Sequence, residues 1–168
     1  MIDFLIIDKT HSITTDNAAN MISAIAQLNC YEAIGQLKVS HLRCSTHIIN
    51  IGVHAGLDEI NIKGPINKIR FFCKKIHCST KNAQFLEIQT QHFKEPTLCI
   101  VMDVEIRWNS THDMLKTAYK MKKSISAFSL YFINESNVVY EETAISENDW
   151  SIVQNVINLL EPFYQGIF

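Results

Sequence analysis

The chain has 168 residues, with 15 Lys and Arg against 17 Asp and Glu, and 47% of its residues are hydrophobic. This length and composition are typical of one globular domain, or of parts of two, and they exclude collagen-like, linker-rich and low-complexity chains. A net charge of −2 excludes a protein that coats nucleic acid or membrane with a uniformly basic surface, so any such contact must be local.

The N-terminal segment and the cysteines exclude two further classes. The apolar run in residues 1–10 is too short and too acidic for a signal peptide or a membrane span. Five cysteines, an odd number, do not form the disulfide framework of a secreted domain. We therefore expect an intracellular protein with reduced thiols and no membrane contact.

Three short segments predict β-strands. Residues 11–15 read as a strand, and apolar residues at helical spacing follow it. Asp16 and Asn17 are suited to closing this strand and capping the helix that follows. Residues 39–43 and 97–104 are the other two strand candidates.

Helical periodicity dominates the rest of the chain. Apolar residues recur every three or four positions over residues 62–76, 110–132 and 150–164, which predicts three amphipathic helices. Residues 134–143 read as a loop. With about six helices and three strands in all, the expected fold class is α/β and helix-dominated.

Capping signals predict where these helices begin. Ser110 with Asp113, and Ser146 with Asp149, have the spacing of N-terminal capping boxes. Pro65 is expected in the first turn of its helix, where a proline is tolerated. The last helix is still apolar where the chain stops, so we expect a fragment or a truncated gene product.

Charge is distributed unevenly along the chain. Residues 38–81 hold eight Lys and Arg but two acidic residues, and no Lys or Arg follows Lys123. The simplest interpretation of such a charge run is a solvated helix face.

Four Cys and His side chains and one Asp are candidates for metal chemistry. Asp16 lies at the carboxyl end of a predicted strand, where α/β proteins often place a catalytic or metal-binding Asp, although an N-cap role is the better explanation of this residue taken alone. Cys44 and His47 form a C-x2-H pair, and Cys73 and His77 form a C-x3-H pair. These four could make a tetrahedral zinc site, or they could be packed thiols and hydrogen-bonded histidines.

Residues 103–111 form the densest polar and aromatic cluster of the chain. Arg107 could hold a phosphate by two parallel hydrogen bonds, and Trp108 could stack on an unpaired base. The alternative is an arginine in a salt bridge and a tryptophan that packs in the core.

Three sequence blocks in a fixed order carry a resemblance to a known family. Residues 13–21, 43–50 and 103–111 together resemble the hobo/Activator/Tam3 (hAT) family of DNA transposases and its domesticated relatives, the zinc-finger BED and ricesleeper-type proteins. The resemblance implies a partial ribonuclease-H-like core, residues 1–43, which continues into an all-helical insertion, residues 44–168.

The resemblance also implies roles for individual residues. Asp16 matches the second acidic residue of the DDE triad and would bind Mg²⁺ or Mn²⁺, and Cys44 and His47 match a Cys/His pair near the active site, which makes His47 a second catalytic candidate. Arg107 and Trp108 match a motif implicated in holding a flipped base. The basic middle segment would contact phosphates. The nucleic-acid-binding candidates are Arg107, Trp108, Asn109, Lys68, Arg70, Lys74 and Lys75.

The intact family performs two-metal phosphoryl transfer, for which one carboxylate is not enough. Because the first Asp and the final Glu of the triad are not found in the chain, we expect a nuclear, transposase-derived DNA-binding fragment that is inactive alone. Its expected partners are transposon ends and hairpin or flipped-base intermediates, with self-association as a further expectation. The alternatives are a domesticated non-catalytic binding or interaction module, and a small zinc-binding module.

Overall fold

The computed structural model describes residues 11–16, 18–30, 40–136 and 144–167. The chain divides into two compact units, residues 1–52 and 53–168. In the described ranges, no helix is long and apolar enough to cross a lipid bilayer. The elements are β1 (Ser12–Thr15), α1 (Ala19–Cys30), β2 (Ser40–Arg43), α2 (Ser45–Leu57), α3 (Ile60–His77), α4 (Thr80–Phe93), α5 (Trp108–Lys120), α6 (Lys122–Ser136) and α7 (Glu147–Ile167).

The first unit contains a parallel pair of strands, which confirms two of the three predicted strands. β1 and β2 pair in register from Ser12 with Ser40 to Thr15 with Arg43. Parallel strands need a crossover connection, and α1 lies within it. The helix predicted after Asp16 is therefore confirmed, while Asn17 lies outside the described residues.

Helices α3 to α7 form the second unit around one hydrophobic core. The apolar faces predicted over residues 62–76 and 150–164 are confirmed, because α3 and α7 bury them. Trp150 is 1% exposed, and its indole N–H donates to Ser126 Oγ at 2.8 Å. The largest fully buried side chains include Phe72, Ile69, Met114, Leu115, Met121, Ile125, Phe128 and Val153.

Pro65 lies inside α3 and not in its first turn, so that prediction is wrong. α3 begins at Ile60 because the Glu59 carbonyl accepts hydrogen bonds from the N–H groups of Ile62 and Lys63, at 2.9 and 2.8 Å. The helix is thus established before the proline, whose ring is buried.

The single helix predicted over residues 110–132 is two helices, because the chain leaves the helical conformation at Met121 (φ −116°, ψ 29°). The Glu95 carboxylate accepts hydrogen bonds from the N–H groups of Lys123 and Ser124, both at 3.0 Å, and from the Ser124 hydroxyl at 2.6 Å. A carboxylate at a helix N-terminus satisfies amides that have no partner within the helix. Glu95 therefore caps α6 from outside the local sequence.

A left-handed residue places Glu95 for this contact. Lys94 ends α4 with φ 55° and ψ 37°, and the Glu95 N–H bonds to the Thr90 carbonyl at 2.9 Å. Most non-glycine residues avoid this conformation, so the turn is held by the packing and hydrogen bonds around it.

Residues 97–104 are not a β-strand, so the third strand prediction is wrong. The segment runs without helix, turn or bend, but no described strand pairs with it. Its β-forming side chains favour an extended backbone, whereas a strand also needs a neighbour. Of the predicted loop at residues 134–143, the first three residues belong to α6 and the others lie outside the described residues.

The capping box predicted at the start of α7 is confirmed. The Asp149 N–H donates to Ser146 Oγ at 3.1 Å, and Asp149 Oδ2 accepts from the Ser146 N–H at 2.8 Å. Lys68 of α3 donates to the same carboxylate oxygen at 3.0 Å. Burial opposes ionisation of Asp149, but these hydrogen bonds outweigh it and lower its pKa below the usual 3.8.

Replacing Glu95 by Ala should lower the free energy of unfolding by about 1–2 kcal/mol, because two amides and a hydroxyl at the start of α6 lose their acceptor. Urea unfolding of the parent and the variant measures the difference. Glu87→Ala is the matched control, since Glu87 is an exposed carboxylate on α4. Equal losses in both variants would contradict the capping role.

The stability difference between the parent and Asp149→Asn should depend on pH. A pKa that folding lowers adds stability above the unfolded value of 3.8, and this stability is lost as the pH falls through the folded value. The variant should be about 1 kcal/mol less stable at pH 7, and the gap should close below pH 3.8. Unfolding at several pH values measures this, with exposed Glu135→Gln as control; a constant gap would contradict the assignment.

Candidate functional site

The edge of the sheet formed by the carboxyl ends of β1 and β2 brings together the candidates of the first unit. Asp16 follows β1 and Cys44 follows β2, and the Cys44 N–H donates to the Thr15 carbonyl at 2.9 Å. His47 lies in the first turn of α2 and is partly buried. Asp16 is exposed, and its Oδ1 accepts a hydrogen bond from the Ala18 N–H at 3.2 Å. Asp16 therefore accepts a hydrogen bond just before α1, as an N-cap residue would, while its carboxylate stays exposed to solvent.

The described residues do not fit a pair of Mg²⁺ ions. Nowhere in residues 11–16, 18–30, 40–136 and 144–167 do three His, Cys, Asp or Glu side chains lie close enough to hold one metal ion. Two ions need several carboxylates, and Asp16 supplies one. Asp16 as a metal ligand, and Asp16 and His47 as catalytic residues, stay predictions.

The geometry does not support the hypothesis of a zinc site. Cys73 is 1% exposed within the core, and burial raises the pKa of its thiol to about 12. A zinc ligand must be a thiolate, which this environment disfavours. His77 is exposed on the same helix. Cys73 therefore acts as a small apolar core residue.

A buried carboxylate organises the segment before α5. Asp103 has a side chain that is 2% exposed, and it accepts hydrogen bonds from Arg70 Nε at 2.9 Å and Nη2 at 2.6 Å. Thr111 Oγ1 donates to it at 3.2 Å. The hydrogen bond to Asp103 raises the pKa of Arg70 above its usual value. The guanidinium group of Arg70 is thus engaged within the protein and not directed to a ligand.

Ser110 holds the turn that follows Asp103. Its hydroxyl accepts a hydrogen bond from the Val104 N–H at 2.8 Å and lies 2.7 Å from the Arg107 carbonyl, to which it donates. The Arg107 N–H closes the turn on the Val104 carbonyl at 2.7 Å. The predicted capping box of Ser110 and Asp113 is wrong, because α5 begins at Trp108 and Ser110 lies inside its first turn.

Arg107 and Trp108 have opposite environments. The Arg107 side chain is exposed, and Asn109 is partly buried. Trp108 is 1% exposed in the core, and its ring meets the Tyr164 ring edge to face, with centroids 6.5 Å apart. The structure presents Arg107 at the surface, whereas Trp108 packs between α5 and α7 and is not open to a base.

The other cations of the basic segment fall into two groups. Lys68 pairs with Asp149, so its charge, like that of Arg70, is compensated. Lys74 and Lys75 are exposed near the end of α3 and lie within 4.0 Å of no described carboxylate. Lys75 Nζ lies over the rings of Phe71 and Phe132, which orients it without neutralising it.

Helices α5 and α7 share a polar cluster that the sequence does not reveal. His112 is fully buried, and its Nε2 lies 3.0 Å from Glu161 Oε2. Lys116 Nζ donates to both Glu161 oxygens at 2.9 Å, and this bond lowers the pKa of Glu161. His112 and Lys116 have the four-residue spacing of one helix face, but their partner lies more than forty residues away.

A polar cleft of about 440 Å³ opens in the second unit, beside the turn that precedes α5. His54 Nε2 is buried there without a hydrogen-bond partner among the described residues. Lys63 and Asp58 form an exposed ion pair at 2.8 Å on its wall. Acidic and basic groups are mixed in the cleft, so it has no clear preference for one ligand charge. The lining residues are His54, Leu57, Asp58, Lys63, Ile66, Asn67, Arg70, Glu105, Ile106 and Thr111.

Replacing Arg70 by Ala should cost about 3 kcal/mol of unfolding free energy, because the buried Asp103 carboxylate loses its cation. Urea unfolding measures the loss. Lys63→Ala removes the same charge from an exposed ion pair of the same helix, so it should change stability little. If Arg70→Ala lowers the unfolding free energy as little as Lys63→Ala does, the ion pair of Arg70 with Asp103 does not stabilise the second unit as we propose.

Comparison with known proteins identifies the family. Residues 42–159, more than two thirds of the chain, match the model of the ZBED1 RNase-like helical domain. The chain is 32% identical to each of two rice (Oryza sativa subsp. japonica) proteins, zinc finger BED domain-containing proteins RICESLEEPER 2 and RICESLEEPER 1, over 95% of this chain and 22% of each relative. It is 24% identical to human (Homo sapiens) zinc finger BED domain-containing protein 4, over 74% of this chain and 10% of that protein.

The chain spans about a fifth of the length of the rice relatives. No solved structure matches it. The family match covers helices α2 to α6, much of α7 and the segment of Asp103 and Arg107. The chain therefore belongs to the ZBED1 RNase-like helical domain family, a BED-type, hAT-like family.

Proposed function

We propose that this chain is the DNA-contacting part of a transposase-derived protein. The observation that carries the proposal is that three of the predicted DNA-contacting cations in the second unit, Lys74, Lys75 and Arg107, are exposed and form no ion pair with a described carboxylate. Phosphate contacts by such side chains supply most of the sequence-independent affinity for nucleic acid. The names of the relatives, which carry a zinc finger BED domain, agree with a role at DNA.

The structure changes which predicted residues we assign to DNA contact. Lys68 and Arg70 serve internal ion pairs, so we assign them to stability. Trp108 is buried, so stacking on a flipped base would require it to leave the core. The backbone of Arg107 is held at the end of a closed turn, so its exposed side chain starts from a fixed position on the surface.

We propose in addition that residues 1–43 are part of a ribonuclease-H-like core, joined to a helical insertion at residues 44–168. The parallel pair of β1 and β2, with Asp16 at its carboxyl edge, supports this proposal. Asp16 would then contribute one carboxylate to a Mg²⁺ or Mn²⁺ site, with His47 nearby. Because the described residues do not fit two ions, the isolated chain is proposed to bind DNA without cleaving it. Its proposed location is the nucleus.

A salt series of DNA titrations tests this function. Fluorescence anisotropy with a labelled hairpin should show binding that weakens as salt rises, and Lys74→Ala/Lys75→Ala should reduce the slope of log K against log salt by about 2. Arg107→Ala should reduce it by about 1. Arg107 is exposed, so Arg107→Ala should unfold at the same urea concentration as the parent. The double variant also loses the contact of Lys75 with Phe71 and Phe132, so it should unfold at a slightly lower concentration.

Lys63→Ala is the matched control, because it removes a lysine of the same helix whose charge Asp58 already compensates. It should leave the slope near that of the parent. Absence of any salt-dependent binding at low salt, or equal effects of Lys63→Ala and Lys74→Ala/Lys75→Ala, would overturn the proposal.

A further inference from the structure

The middle of the extended segment between α4 and α5 has backbone groups that bond to no other described residue. Residues 95–104 contain no helix, turn or bend, and from Thr97 to Asp103 no backbone N–H or carbonyl group bonds to another described residue. The segment is fixed at both ends, by the Glu95 contacts and by the bond from the Val104 N–H to Ser110. Such a row of free donors and acceptors matches the edge of a β-sheet.

The side chains of this segment also have the character of a strand. Thr97 to Val104 reads TLCIVMDV, with no Gly, Pro or Lys, and its one charged residue, Asp103, is neutralised by Arg70. Leu98, Val101 and Val104 are 36, 37 and 47% exposed. Proteins usually protect free edges with lysine, proline or a bulge, and the interior of this segment has none of these residues.

An apolar cavity lies along the same segment. It has a volume of about 410 Å³, and Leu98, Cys99 and Ile100 line it together with Ile76 and Leu86 of α3 and α4. Its lining also includes four polar residues, namely His77, Glu87, Thr90 and Thr97, so the cavity is mainly but not entirely apolar. A strand added beside the segment could place alternate side chains in this cavity, since side chains of a strand point alternately to its two faces. The backbone and the cavity therefore favour the same kind of occupant, an apolar extended strand.

We propose that residues 97–103 of two copies of this chain pair as antiparallel strands and form a twofold dimer. The segment is self-complementary: about an axis at Ile100, Leu98 lies opposite Met102 and Cys99 lies opposite Val101, so apolar side chains face each other and no like charges meet. One strand pair is a small interface, so the dimer forms at high concentration only. This pairing does not depend on DNA binding.

Sedimentation velocity under reducing conditions, over a range of protein concentrations, tests the dimer. Val101→Lys places two lysines near the axis, so its dimer dissociation constant should rise at least about tenfold. Ile60→Lys is the matched control, because Ile60 is 86% exposed at the start of α3. The parent and the control should dimerise alike.

Thiol cross-linking gives a second readout that needs no change in the segment. In Cys30→Ser/Cys44→Ser/Cys78→Ser, Cys73 stays buried and Cys99 is exposed, so a short bis-maleimide should link two copies through Cys99. Amide hydrogen exchange of residues 98–103 should slow as the concentration rises.

Three results would overturn the proposal. They are a monomer at every concentration, a dimer that Val101→Lys and Ile60→Lys weaken equally, and open-ended aggregates in place of a closed dimer. If Val101→Lys loses its helical circular dichroism, the Cys99 cross-link and the amide exchange decide, and their absence in a dimer counts against the proposed pairing.

Discussion

The pairing of Asp103 with Arg70 is the constraint on which the second unit depends. A carboxylate that is 2% exposed is costly to bury without a cation and further donors, and Arg70 and Thr111 supply them from α3 and α5. This one group therefore fixes the segment before α5 against two helices. Because the turn after Asp103 is fixed, the Arg107 side chain projects into solvent from a fixed position on the surface. Trp108, the next residue, is buried in the core.

The same pairing changes how the charge of the molecule is interpreted. The basic segment of the sequence contains cations of two kinds, and only their partners distinguish them. Arg70 and Lys68 balance acidic groups 33 and 81 residues away, whereas Lys74 and Lys75 have no described acidic neighbour. Some cations of a charged helix thus form internal ion pairs, and others remain free to contact phosphate. The tertiary fold determines which cations belong to each group.

Those parts of the fold that local sequence determines could be predicted. The apolar faces of α3 and α7 and the box of Ser146 with Asp149 depend on neighbours within a few positions. The two strands are local elements too, although their pairing joins distant residues, Ser12 with Ser40. The break at Met121 could not be predicted, because the carboxylate that caps the next helix at Lys123 lies 28 residues before Lys123. The extended segment at residues 97–104 has the propensity of a strand, but propensity does not supply a neighbouring strand.

The candidate site shows the same division. The meeting of Asp16 and Cys44 at one sheet edge follows from two parallel strands, so it could be expected from sequence. The burial of Trp108 could not, because residues that stack on a base also pack well in a core, and the choice depends on Tyr164 in α7. The cluster of His112 and Glu161 could not be predicted from sequence either, because it joins two helices that are far apart in the chain.

The contact between Glu95 and the start of α6 has a kinetic consequence. A helix whose cap is local can nucleate as soon as its own residues meet, whereas α6 receives its cap from a residue 28 positions earlier. Its first turn becomes stable once the chain between α4 and α6 has closed into a loop, which has an entropic cost. Formation of α6 is therefore coupled to the docking of α5, so these helices should fold as one cooperative unit.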